Sequence, residues 1–218
     1  MRTRFDEQLS QLNADLIDMG TMIEYAIESS ANALISLDGE LARKIVAFDH
    51  EVDRKERDIE SLCLKLILHQ QPIARDLRLI SAALKMITDM ERIGDQAADI
   101  AEIVTMMVRD NPPRIPGHFQ DMARATTGMV RSAIDAFVTR DLELARRVIE
   151  QDDVVDGLFN DVRGDLIDLL ARSPERGGQA LDLLMIAKYF ERIGDHATNI
   201  AEWVEFAITG THNEEGEA

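Results

Sequence analysis

The residues of this chain that could do chemistry are carboxylates, and they come in rows. Glu91, Asp95, Asp99 and Glu102 follow one another at helical spacing, and Glu191, Asp195, Asn199 and Glu202 repeat the pattern 100 positions later. Asp49 with Asp53, and Asp152 with Asp156, form shorter rows at the same four-residue step. In a helix that step turns a side chain by only about 40° and lifts it about 6 Å, so each row forms a stripe. Like charges at this spacing cost an isolated helix roughly 0.2–0.5 kcal/mol per pair. Carrying such rows twice, in corresponding places, implies a positive partner. That partner is either a metal ion held by oxygens from facing helices or a ladder of arginine and lysine. All-oxygen donors suit hard cations such as magnesium, calcium, manganese or iron, whereas structural zinc wants cysteine and histidine.

The rows belong to a larger internal repeat. Residues 91–102 and 191–202 differ only at Gln96/His196, Ala98/Thr198 and Asp99/Asn199. Both copies hold a glycine, Gly94 or Gly194, inside the helix, where glycine costs roughly 0.8–1 kcal/mol relative to alanine. A missing side chain there admits a neighbouring backbone or a bound ion close to Asp95 and Asp195. Arg92 and Arg192 lie one position off the stripe, placed to pair with acidic groups or steady them from behind. His196 answers to Gln96 and so is not required by chemistry that both copies share.

Periodicity places these rows on helices. Apolar residues at three- and four-residue steps predict helices over about 5–37, 40–69 and 73–109, then over about 118–139, 142–171 and 179–208. Asp38-Gly39, Gln71-Pro72, Arg140-Asp141 and Ser173-Pro174 mark the breaks. The expected fold is all-α, with two tandem three-helix bundles built from six long antiparallel helices. Residues 1–110 form the first bundle, 111–117 a proline-rich linker, 118–209 the second bundle and 210–218 a disordered acidic tail.

Composition narrows the partners. With 218 residues, a formal charge of −17 and 5% aromatics, the chain repels phosphate backbones and anionic lipid, which argues against nucleic acid. No apolar run suits a membrane span and no signal-peptide core follows Met1, so a cytoplasmic location is expected. The single cysteine, Cys63, reads as a buried apolar residue. Di-metal oxidases need Glu-x-x-His pairs, which neither copy has, and no Gly-rich phosphate loop is present.

The doubled Glu-Arg-Ile-Gly-Asp, with Gln71-Pro72 and Asp76-Leu77-Arg78 ahead of the first copy, closely resembles the PhoU family over about residues 6–209. The resemblance implies multinuclear sites for iron, manganese or magnesium. Matched by position, they fall on Glu91, Asp95, Asp49 and Asp53, and on Glu191, Asp195, Asp152 and Asp156. Asp99 extends the first row, while Asn199, Glu102, Glu202, Arg92 and Arg192 stand around the sites. The resemblance also implies an adaptor, not a catalyst, that negatively regulates phosphate uptake and phosphate-starvation signalling. Its expected partners are the ATPase subunit of the phosphate-specific ABC transporter and a sensor histidine kinase, with a second copy of the chain as a further candidate. Arg75, Asp76 and Arg78 are the partner-binding candidates. A metal-free helical scaffold whose acidic rows form salt-bridge ladders is the alternative.

Overall fold

The computed structural model describes residues 2–70, 72–108 and 115–211. Six long helices account for nearly all of them: α1 (Arg2–Ser36), α2 (Gly39–Gln70), α3 (Ala74–Met107), α4 (His118–Thr139), α5 (Leu142–Arg172) and α6 (Gly177–Thr209). The expected tail at 212–218, and residues 109–114 of the boundary between the halves, lie outside the described residues.

Local chemistry explains the breaks. Leu37 turns left-handed at φ 53° after α1, and Asp38 caps α2 by accepting from the amides of Glu40 and Leu41. The second half repeats this device: Arg140 is left-handed at φ 58°, and Asp141 accepts from the Leu144 amide to cap α5. The two turns keep one length, although only the first carries a glycine. The break at Ser173-Pro174 contains a short 3-10 turn, Pro174–Arg176, so α6 begins two residues earlier than periodicity predicts.

Each half closes as a three-helix bundle, α1–α2–α3 and α4–α5–α6. The halves join chiefly along α3 and α6, flanked by α1 against α4. The buried apolar residues form one continuous cluster rather than two cores. It runs from Leu12, Leu16 and Met19 through Ile80, Ile87 and Ile93 to Phe119, Phe137, Phe190 and Ile200. Each large side chain so buried contributes roughly 1.5–3 kcal/mol of transfer free energy. The packing is close at Gly20, where a Cβ would come within 2.5 Å of Ile134 Cδ1, so a side chain there would oblige Ile134 to shift. Ion pairs add polar ties between the helices. Lys55 reaches Asp15 at 2.6 Å and Asp18 at 3.3 Å from α2 to α1, Arg131 of α4 pairs with Glu24 of α1, and Arg146 of α5 meets Glu205 of α6 at 2.9 Å.

Candidate metal centre

The acidic rows of α2 and α3 face each other in the first half. One carboxylate oxygen from each of Asp49, Asp53 and Asp95 lies within 4.8 Å of the others, the one such trio of potential ligand atoms among the described residues. Three negative groups that close cannot all ionise freely. Burial, with the Asp95 and Asp53 carboxylates beside it, pushes Asp49 up to about 6. Glu91 rises to about 7, again through burial and then through Asp95, Glu56, Asp53 and Asp49. Asp95 is raised by burial and Asp53, with Arg92 pulling the other way. Asp49 Oδ1 is buried beside Gly94 with no hydrogen-bond partner, and Glu191 Oε2 of the second cluster is orphaned in the same way.

Glycine explains how two helices bring these groups so close. A Cβ on Gly94 would sit 3.0 Å from Val52 Cγ1 and 3.4 Å from Asp49 Oδ1. Gly94 therefore serves the tight packing of α3 on α2, with a carboxylate of the cluster at the contact. Gly194 repeats it against Asp152 Oδ1 at 3.2 Å and Val155 Cγ1 at 3.3 Å.

The second cluster has the same frame and a different charge balance. Asp152 is pushed up to about 6 by burial, Asp195 and Asp156, and Asp195 is raised by burial and Glu191. Lys188, however, pairs with Glu191 and partly offsets the rise of Asp195. Its counterpart in the first half is Thr88.

Two residues of the predicted rows face elsewhere. Asp99 is hydrogen-bonded by Tyr189 of α6. Asn199 donates to Asp89 of α3 at 3.3 Å, and His196 Nδ1 lies 2.9 Å from the same Asp89 oxygen. Asp89–Asn199 and Tyr189–Asp99 are corresponding pairs of the repeat, so they form polar rungs across the seam between halves. Eight residues beyond Glu91 a helix has turned by about 80°, which carries Asp99 away from α2 toward α6. Glu102, Arg92 and Arg192 are exposed and Glu202 is half-buried. Arg92 still acts on Asp95 and Arg192 on Asp99, and Arg192 lies 6.0 Å from the Tyr189 ring. Lys85 sits 5.9 Å from the Trp203 ring across the same seam.

Sequence reasoning missed Glu56, which is raised by burial, Glu60 and Asp53 and in turn raises Glu91. Its signal was present, since Asp49, Asp53, Glu56 and Glu60 continue one helical stripe. It also missed Asp89 and Lys188. The partner-binding candidates lie at the opposite end of α3 from Glu102. Exposed Arg75 lines a cavity of about 170 Å³ with Leu79, Phe137, Arg140, Val204, Ala207 and Ile208. Arg78 packs against Gly210, and Asp76 is half-buried in the first turn. Cys63 is buried as expected, its thiol pushed up to about 12 by burial. No helix among the described residues is long and apolar enough to cross a membrane.

Six helices in two matching halves, with acidic clusters where α2 meets α3 and α5 meets α6, define a helical-repeat protein. Comparison with known proteins places it. A family model described as the PhoU domain matches twice, at residues 16–104 and 119–204. The chain is 34% identical over 210 residues to a protein of Clostridium acetobutylicum named phosphate-specific transport system accessory protein PhoU homolog, covering 96% of both chains. It is 40% identical over 210 residues to a Zymomonas mobilis protein of the same name, covering 94% of this chain and 87% of that one. The crystal structure of PhoU from Pseudomonas aeruginosa superposes with a TM-score of 0.89 at 32% identity, over 95% of this chain and all of that one. This chain belongs to the PhoU family.

Proposed function

We propose that the protein is a regulatory adaptor of phosphate uptake that couples a phosphate-specific transporter to a sensor histidine kinase and restrains the starvation response. The observation that carries this is the match of both halves, over nearly their full length, to proteins named as accessory to phosphate-specific transport. The fold suits the role. A rigid shared core with two acidic faces and a cavity edged by Arg75 and Arg140 offers docking surfaces. The net charge of −17 favours basic patches on protein partners in the cytoplasm.

The first acidic cluster serves this adaptor as a cation site. Asp49, Asp53, Glu91 and Asp95, with Glu56 at the edge, supply only oxygen donors, which fits manganese, magnesium or iron. The orphaned Asp49 Oδ1 and the raised Asp49 and Glu91 carboxyls are what a cation would relieve. A bound ion supplies positive charge that ties α2 to α3, and the clustered carboxylates allow more than one ion to be bridged.

Deleting the gene tests the adaptor role. Phosphate-scavenging genes are expected to be derepressed in phosphate-rich medium, and unchanged expression would overturn it. Retention of the transporter's ATPase subunit on the immobilised chain, lost in the presence of excess free chain, checks the physical contact.

A further inference from the structure

We propose that the second acidic cluster carries its own cation, Lys188, so that this chain takes up metal at the first cluster and not at the second. The inference rests on the cation-site assignment above. It is drawn from three substitutions between the halves.

Residues of α2 and α5 correspond at an offset of 103, as Asp49/Asp152 and Asp53/Asp156 show, and those of α3 and α6 at 100. Under these offsets Thr88 answers to Lys188, Glu56 to Phe159 and Glu60 to Arg163. Each of these three changes makes the second half less negative, whereas Asp153, in place of His50, adds a carboxylate that acts on Asp152. Lys188 and Phe159 also cooperate in space, because the Lys188 ammonium pairs with Glu191 and lies 5.8 Å from the Phe159 ring. An aromatic face attracts an ammonium, so Phe159 helps hold Lys188 over the cluster. In the first half Glu56 stands at that position and adds a carboxylate whose field reaches Glu91.

Geometry agrees with charge. Asp49, Asp53 and Asp95 bring their oxygens within 4.8 Å of one another, while Asp152, Asp156 and Asp195 do not make such a trio. An entering metal ion must also overcome repulsion from the ammonium at the second cluster. The backbone frame is shared, since Gly94 meets Val52 and Asp49 while Gly194 meets the corresponding Val155 and Asp152. The difference therefore lies in the side chains at the rim and is reversible by substitution.

The test uses the metal-free full chain titrated with Mn2+ by calorimetry. Wild type and D152N/D195N are expected to bind equally, and D49N/D95N is expected to lose at least about tenfold in affinity. Adding K188T and F159E to D49N/D95N should restore binding, now at the second cluster. Binding that survives D49N/D95N but not D152N/D195N, or that each pair halves, overturns the inference while leaving cation binding itself intact. A separate arm needs no metal. K188M should lower the melting temperature of the metal-free chain, because Glu191 and Asp195 lose their cation; an unchanged or higher value overturns the inference. If no variant takes up Mn2+ while K188M is destabilised, cation binding at the first cluster is what fails, and Lys188 stands as the second cluster's counter-ion.

Discussion

The two acidic clusters share a skeleton and differ at the rim. Gly94 with Val52 and Asp49, and Gly194 with Val155 and Asp152, make nearly superposable close contacts. Around them Phe159 stands in place of Glu56, and Lys188 in place of Thr88. A tight helix crossing tolerates little change in shape, because a methyl group added there meets a neighbour at once. Rim side chains have room, so charge can diverge while the crossing is kept. The seam repeats this pattern, with Asp89–Asn199 and Tyr189–Asp99 occupying equivalent rungs with different chemistry.

The seam gives the largest expected effect. Asp89 is buried, and His196 and Asn199 both depend on it. Asp89→Ala should cost about 2–3 kcal/mol, because it leaves two polar partners without their acceptor. Tyr189→Phe on the opposite rung should cost no more than about 1 kcal/mol. Denaturant unfolding of both variants measures the contrast, and equal losses would show the rungs to be equivalent.

The crossings come next. Gly94→Ala and Gly194→Ala each gain up to about 1 kcal/mol of helix propensity but drive a Cβ against Val52 or Val155. A net loss of about 1–2 kcal/mol is expected for each. Gly94→Ala should lose slightly more, since its closest contact is 3.0 Å rather than 3.2 Å. A stabilised variant would mean that the helices part without cost.

The pH dependence is of similar or smaller size. Asp49 and Asp152 titrate near 6 and Glu91 near 7 in the folded chain, against 3.8 for Asp and 4.5 for Glu ordinarily. The native state thus holds protons that the unfolded state has already released. Metal-free stability is therefore greatest near pH 4 and falls as pH rises toward 7, by about 1–2 kcal/mol after allowance for solvent screening. Chemical denaturation at several pH values reads this slope, and an opposite slope would mean that the carboxylates are already neutralised. Smallest is Thr88→Lys, which gives the first cluster the second's counter-ion. It should raise metal-free stability by up to about 1 kcal/mol and weaken Mn2+ binding.

Much of this was legible in the sequence. Apolar spacing located all six helices, and Asp38-Gly39 and Arg140-Asp141 marked two of the breaks. The four-residue steps and the doubled segment singled out Asp49, Asp53, Asp95 and their counterparts. Asp99 was less legible because a four-residue step still drifts round the helix, and two steps suffice to move a side chain from one neighbour to the next. Asp89 and Tyr189 gave no signal of their own, since their roles arise from the packing of α3 on α6. Lys188 and Glu56 were readable only by comparing the copies position by position, and charge differences carry no periodicity. The single shared core was likewise hidden, because amphipathic patterns show that a face is buried but not against which bundle.

The most direct test of the central claim, that the first carboxylate cluster is built for a cation, is the melting temperature of the metal-free chain with and without Mn2+. Binding to the folded state alone stabilises by about 2.7 kcal/mol when the ion is at 100 times its dissociation constant. Wild type should therefore melt several degrees higher with Mn2+, and D49N/D95N should not respond. An equal rise in both, or none in wild type, would contradict the claim.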